Sequence, residues 1–146
     1  MAQSAALSGA ARELIGAPAF SVLTTINADG SPQSSVMWMA LDGDQLVFST
    51  IRGRLKCRNL ERDPRVSVCT YDPADPYRYV EVRGTVTLAE EGGDELIDRL
   101  CQAYQGKPWT RRPEEVRVVA RVTPTRVVDH VAPQSASAKA GPADGA

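Results

Sequence analysis

The chain has one histidine, His130, and three cysteines in 146 residues. A lone histidine beside a small-residue C-terminal stretch argues against a Ser-His-Asp catalytic set. Cys57, Cys69 and Cys101 are an odd number and far apart, so they do not make a disulfide framework. No C-x-x-C pair or Cys/His cluster points to zinc, and no metal ligand set is expected. Charge of one sign is also lacking. Seventeen basic residues face eighteen acidic ones, for a net charge of −1, which speaks against a bulk nucleic-acid or anionic-membrane binder. No apolar run approaches the ~18 residues of a membrane span, and the N-terminus lacks the basic-then-apolar layout of a signal segment. A cytoplasmic protein of one domain is expected.

What the chain does have is valine, fifteen against four isoleucines and two phenylalanines, a bias toward strands. Residues 131–146, VAPQSASAKAGPADGA, carry too little apolar surface to offset the entropy of ordering. The reading is a folded domain over 1–130 and an unstructured tail over 131–146.

Ser4 to Ile15 is Ala-rich, with Leu7, Ala11, Leu14 and Ile15 on one helical face, and Gly16 and Pro18 stop it. Three strands follow: Phe20–Ile26, Pro32–Leu41 and Gln45–Thr50, joined by Asn27–Gly30 and Asp42–Asp44 turns. Arg52 to Glu61 reads as a short helix closed by Asp63-Pro64. Arg65–Tyr71 is again a strand. Tyr79–Leu88 alternates most clearly, with Val80, Val82, Gly84, Val86 and Leu88 on one face, so it is a strand with one wet side. Asp94 is placed to cap a helix bearing the stripe Leu96, Ile97, Leu100, Cys101 and Tyr104. Val116–Val122 is the last strand. Six antiparallel strands with short helices predict a mainly β fold, a small barrel whose closure would remove exposed edges.

The segment Arg52–Arg65 concentrates charge: six basic residues against Glu61 and Asp63. A strand ends at Thr50, glycine follows and a helix starts, an arrangement that aims free N–H groups and the positive helix end at whatever lies above the turn. Arg54 and Lys56, with the Thr50 hydroxyl, are placed to surround a phosphate, and Asn59 to hold the turn or donate to the ligand. Two other readings stand beside this one: a solvated basic helix face, and a DNA-reading helix. The latter lacks a preceding partner helix. Trp38 reads as packing or as a ligand wall, Tyr79 as a ligand or subunit contact, and Trp109 as cover for an apolar edge. Cys57, among Arg54, Lys56 and Arg58, reads as a buried helix residue or as an activated thiol. Without a general acid–base pair, enzyme chemistry has to come from a bound cofactor.

LTTINADGSPQSSVMWM, LVFST, RLKCRNLERDPRVSV, YVEVRGTVTL and RVVARVTPTRVVDH, in that order, resemble the pyridoxamine-phosphate-oxidase-like family with its FMN-binding split β-barrel. The resemblance runs over roughly residues 10–130. Its most specific element is K-x-x-N-L-x-x-D-P-R-V-S, Lys56 to Ser67, and the branch it is most similar to is the actinobacterial one using the deazaflavin coenzyme F-420. It implies a homodimer with a cofactor in each groove between subunits and hydride transfer to a small acceptor such as a quinone, an enone or lactone, or a nitro compound. By residue, it implies Arg54 and Lys56 as phosphate ligands assisted by Thr50, and Asn59 supporting the turn. Ser35, Val36, Met37 and Trp38 would run beside the ring system, and Tyr77 and Tyr79 would approach from the second subunit. No catalytic side chain is implied. FMN is the alternative cofactor, and a non-catalytic binding module using residues 52–65 the alternative function. The C-terminal stretch has only Lys139 as a base, which argues against a pyridoxamine phosphate substrate.

Overall fold

A computed structural model describes residues 5–131. The first helix, α1 (Gly9–Gly16), starts five residues later than the Ala-rich run, because the Ser8 side chain accepts from the Ala11 amide at 3.1 Å and caps it there. Ala11 and Ile15 are buried. Seven strands follow: β1 (Ser21–Ile26), β2 (Pro32–Met37), β3 (Ala40–Asp42), β4 (Gln45–Ile51), β5 (Arg65–Asp72), β6 (Asp75–Ala89) and β7 (Arg117–Asp129). Between them lie α2 (Leu55–Arg62) and α3 (Gly93–Gln105). α3 is capped by Gly92 in the left-handed conformation, φ 82°, and not by Asp94, which lies inside the first turn with Glu95 and complements the helix dipole there.

The strands form one antiparallel sheet ordered β2-β1-β5-β6-β7-β4-β3. Its two edge strands, β2 and β3, are consecutive in the chain and separated only by Trp38 and Met39. Three Cα–Cα steps of 3.8 Å span at most about 11 Å, so the sheet has to curl until its edges nearly meet at these residues. The result is a split barrel: the mainly β class is as expected, but the sheet has seven strands in place of six and is not closed. The extra strand comes from breaking the expected Pro32–Leu41 strand in two. At the break the Tyr104 hydroxyl accepts from the Met39 amide at 3.0 Å, lies 3.1 Å from the Met39 carbonyl and donates to the Ala19 carbonyl at 2.6 Å. A side chain from α3 thus takes the backbone groups a continuous ladder would have used.

Inside the barrel, Leu23, Leu46, Phe48, Val68, Val80, Val82 and Val122 make the core, with Ile15 of α1 closing one end. On β6 the expected alternation holds at Val80, Val82, Gly84 and Val86, which are buried, while Leu88 is half-buried. Gly84 is required by close approach: a Cβ there would stand 2.2 Å from the Thr123 carbonyl oxygen of β7. A second, smaller cluster, Val47, Leu96, Leu100 and Val119, joins α3 to the outer face of β4 and β7. Of the expected tail, Val131 is buried in the core; 132–146 lie outside the described residues, as does Ser4.

Candidate functional site

The seam of the split barrel is also where the basic segment lands. β4 ends at Ile51, Gly53 turns the chain at φ 90°, and α2 begins after Arg54, whose amide donates to the Ile51 carbonyl at 3.1 Å. Only glycine adopts such a φ without cost, so Gly53 sets how tightly strand passes into helix. No acidic residue occupies the first turn of α2.

Of the six bases in this segment, three are taken up structurally. Arg52 pairs with Glu61 at 2.7 Å and Glu90 at 3.0 Å, Arg65 pairs with Asp63 at 2.8 Å, and Arg62 donates to Asn59 Oδ1 at 3.1 Å. The Arg65 contact holds the Asp63 carboxyl down at about 2. Arg54, Lys56 and Arg58 have no carboxylate partner among the described residues. Lys56 is half-buried with its Nζ 3.0 Å from the Met37 thioether; burial first, and then the Arg54 charge, push its pKa below the usual lysine value. A desolvated cation with only a sulfur acceptor lacks the compensation that buried charges normally have.

Arg54 and Lys56 open into a cleft of about 270 Å³. Val36, Met37 and Trp38 form one wall and Ser49 of β4 another, with Ile97 and Leu100 of α3 opposite. Arg117, Trp109 and Arg112 complete it. Trp38 is stacked on Tyr104 at 5.4 Å between ring centroids and 16° between planes, and meets Trp109 edge-on at 6.5 Å. The same Tyr104 that interrupts the strand therefore holds the aromatic wall. Arg117 is fixed by the Ser49 hydroxyl at 3.3 Å, the Glu115 carboxylate at 3.1 Å and the Trp109 ring at 4.7 Å.

Five of the ten residues expected at the site, Val36, Met37, Trp38, Arg54 and Lys56, thus line one cleft. Thr50 does not. It follows Leu46 and Phe48 on the inner face of β4, while the pleat turns Ser49 to the cleft; Thr50 Oγ1 is buried with no hydrogen-bond partner among the described residues. Ser35 lies opposite Leu23, which is buried in the core, so the pleat turns it away from Val36; its Oγ also lacks a partner among the described residues. Asn59 is buried and donates to Thr25 Oγ1 and Asn27 Oδ1, each at 3.0 Å, tying α2 to the β1–β2 turn. Tyr77 is exposed and Tyr79 stacks on His130 at 4.7 Å; neither lines the cleft of its own chain. Cys57 is buried, and burial together with Glu61 raises its thiol pKa, the opposite of activation.

Arg117, Arg112 and Ser49 were not foreseen. In the alternation of β7, Arg117 belongs to the polar face that reads as solvent-exposed, and no local signal reveals that α3 covers that face. Gly93 permits the cover: a Cβ at this position would lie 2.3 Å from the Arg117 carbonyl oxygen, so only glycine lets the helix start this close to β7.

Among the described residues no helix is long and apolar enough to cross a membrane, and no group of three or more His, Cys, Asp or Glu is placed to hold a metal ion. Among solved structures the chain is similar to an F-420 reductase, with 34% identity over 84% of this chain and 98% of that one, at a TM-score of 0.75. It shares its fold with a conserved hypothetical protein from Mycobacterium tuberculosis (23% identity, 95% and 96% covered, TM-score 0.70). It also shares it with a putative pyridoxamine 5'-phosphate oxidase from Listeria innocua (22% identity, 75% and 86% covered, TM-score 0.59). The family model for pyridoxamine 5'-phosphate oxidase matches residues 7–131, nearly every residue of the fold just described, and the chain belongs to that family.

Proposed function

We propose that this protein is a reductase that holds the deazaflavin coenzyme F-420 in the seam cleft and serves hydride transfer to a small organic acceptor, a quinone, an enone or lactone, or a nitro compound. The observation that carries the reading is the pair Arg54 and Lys56: two cations facing one cleft, neither with a carboxylate partner among the described residues, one of them desolvated. Such a pair is completed by an anion of about the size and charge of a phosphate. The similarity to an F-420 reductase at 34% identity supports the deazaflavin.

In this reading Arg54, Lys56 and Ser49 bind the phosphate. Asn59 keeps the α2 turn in place through Thr25 and Asn27. The Val36–Trp38 wall, steadied by Tyr104 beneath Trp38, orients the ring system, and Ile97 and Leu100 keep water from it. When bound, the deazaflavin supplies the hydride. His130 is occupied by its stack on Tyr79, and the buried Cys57 thiol stays protonated. The working unit is a homodimer in which Tyr77 and Tyr79 reach the partner's cleft. Val36, on the cleft wall, is 65% exposed and Tyr77 57%, leaving both ends of that contact uncovered in one chain.

Separate titrations of the full chain with the deazaflavin coenzyme, by quenching of its fluorescence, and with FMN, by absorbance, test this. The deazaflavin is expected to bind more tightly, and Lys56→Ala to weaken it about tenfold to a hundredfold, the worth of hydrogen bonds to charged groups. Tighter FMN binding would make this a flavin enzyme of the same fold. Unchanged affinity in Lys56→Ala would remove the phosphate site.

A further inference from the structure

The cleft holds more positive charge than one phosphate uses. Arg54, Lys56, Arg112 and Arg117 line it, while among the described residues a single carboxylate, Glu115, pairs with any of them. A phosphate neutralises at most about two of these charges. The surplus sits at the arginine pair. The Arg117 side chain is only 8% exposed, with Nη2 on Glu115 at 3.1 Å and Nη1 on the Ser49 hydroxyl at 3.3 Å, yet its Nε has no hydrogen-bond partner among the described residues. Arg112 reaches the same carboxylate only at 3.5 Å and keeps 58% of its side chain exposed. Both guanidiniums lie against the Trp109 ring, with Cζ at 4.7 Å for Arg117 and 5.7 Å for Arg112. Trp109 is itself anchored, its amide donating to Asp98 of α3 at 2.9 Å.

From this we infer that Arg112, Arg117 and Trp109 form a second anion subsite of the cleft, built for a planar carboxylate beside the phosphate site. The inference rests on the reading of the cleft as a ligand site. Arginine recognises carboxylates through paired N–H donors in one plane, and here a buried fork is incompletely used. Glu115 acts as an internal stand-in that shares the two arginines until a ligand carboxylate arrives. The carboxylate is that of an acidic acceptor lying beside the bound cofactor.

Isothermal titration of the intact protein with benzoate, a planar carboxylate without phosphate, tests the subsite. Wild type is expected to bind it with a Kd of millimolar order. Arg112→Gln, a change at an exposed side chain, should weaken binding about tenfold, whereas Glu115→Gln, which removes the competing carboxylate, should tighten it several-fold. The opposite signs separate a subsite from arginines that merely pack against Trp109, for which neither variant changes benzoate affinity. That result, or no benzoate binding to wild type up to about 20 mM, overturns the inference. Repeating the titration on protein saturated with the deazaflavin coenzyme tests whether the subsite stays open to an acceptor. The benzoate signal is expected to persist, and its loss would overturn the assignment to an acidic acceptor. Benzoate binding by a protein that takes up no deazaflavin would refute the proposed function while leaving the subsite standing.

Discussion

Tyr104→Phe isolates the hydroxyl that splits the second strand. The phenol donates to the Ala19 carbonyl at 2.6 Å and accepts from the Met39 amide at 3.0 Å, and Met39 is buried, so water does not readily replace either bond. At about 1 kcal/mol per hydrogen bond, the variant should lose about 2 kcal/mol of stability. For a chain of this length that corresponds to a Tm lower by roughly 6 °C. Burial raises the Tyr104 pKa above its ordinary value of 10.0, so the proton stays on and the loss should be the same at every pH below that value. The phenylalanine ring still stacks under Trp38, so cofactor affinity should fall far less than stability does. Thermal unfolding followed by circular dichroism, with coenzyme titration alongside, reads both. A Tm within about 1 °C of wild type would refute the view that this hydroxyl holds the two edge strands at the seam.

Lys56 predicts opposed pH trends. Its depressed pKa means the folded chain binds fewer protons than the unfolded one up to the ordinary value of 10.5, so ligand-free stability should rise with pH across that window. Phosphate affinity should fall over the same window, and Lys56→Met should flatten both trends in Tm and titration series and raise the Tm at neutral pH. Thr50→Val replaces a fully buried hydroxyl, unpartnered among the described residues, with an isosteric methyl and should raise stability by about 1 kcal/mol in denaturant unfolding, with cofactor affinity unchanged. A fall in affinity would return Thr50 to the phosphate site. Gly93→Ala, with its Cβ 2.3 Å from the Arg117 carbonyl oxygen, should cost ~1–3 kcal/mol by calorimetry and weaken ligand binding by displacing β7 from α3.

The amino-acid sequence by itself determined the elements and much of the site. Period-two valines on β6 and period-3.6 leucines on α3 state which face is buried, since burial follows from side-chain chemistry and local geometry alone. The bases after a strand–glycine–helix turn likewise bring Arg54 and Lys56 to one cleft, because they are close in sequence and so necessarily close in space. Tertiary structure decided what depends on contacts between distant segments. Tyr104, 65 residues after Met39, breaks a run that reads as one strand and thereby opens the barrel. The choice of Ser49 over Thr50 turns on strand pleat relative to a cleft that exists only once both sheet edges meet. Arg117 reads as a solvent-facing residue until α3, starting at Gly93, settles against β7 and makes its side chain a buried cation. Alternation along a strand records that two faces differ; it carries no record of which neighbour covers them.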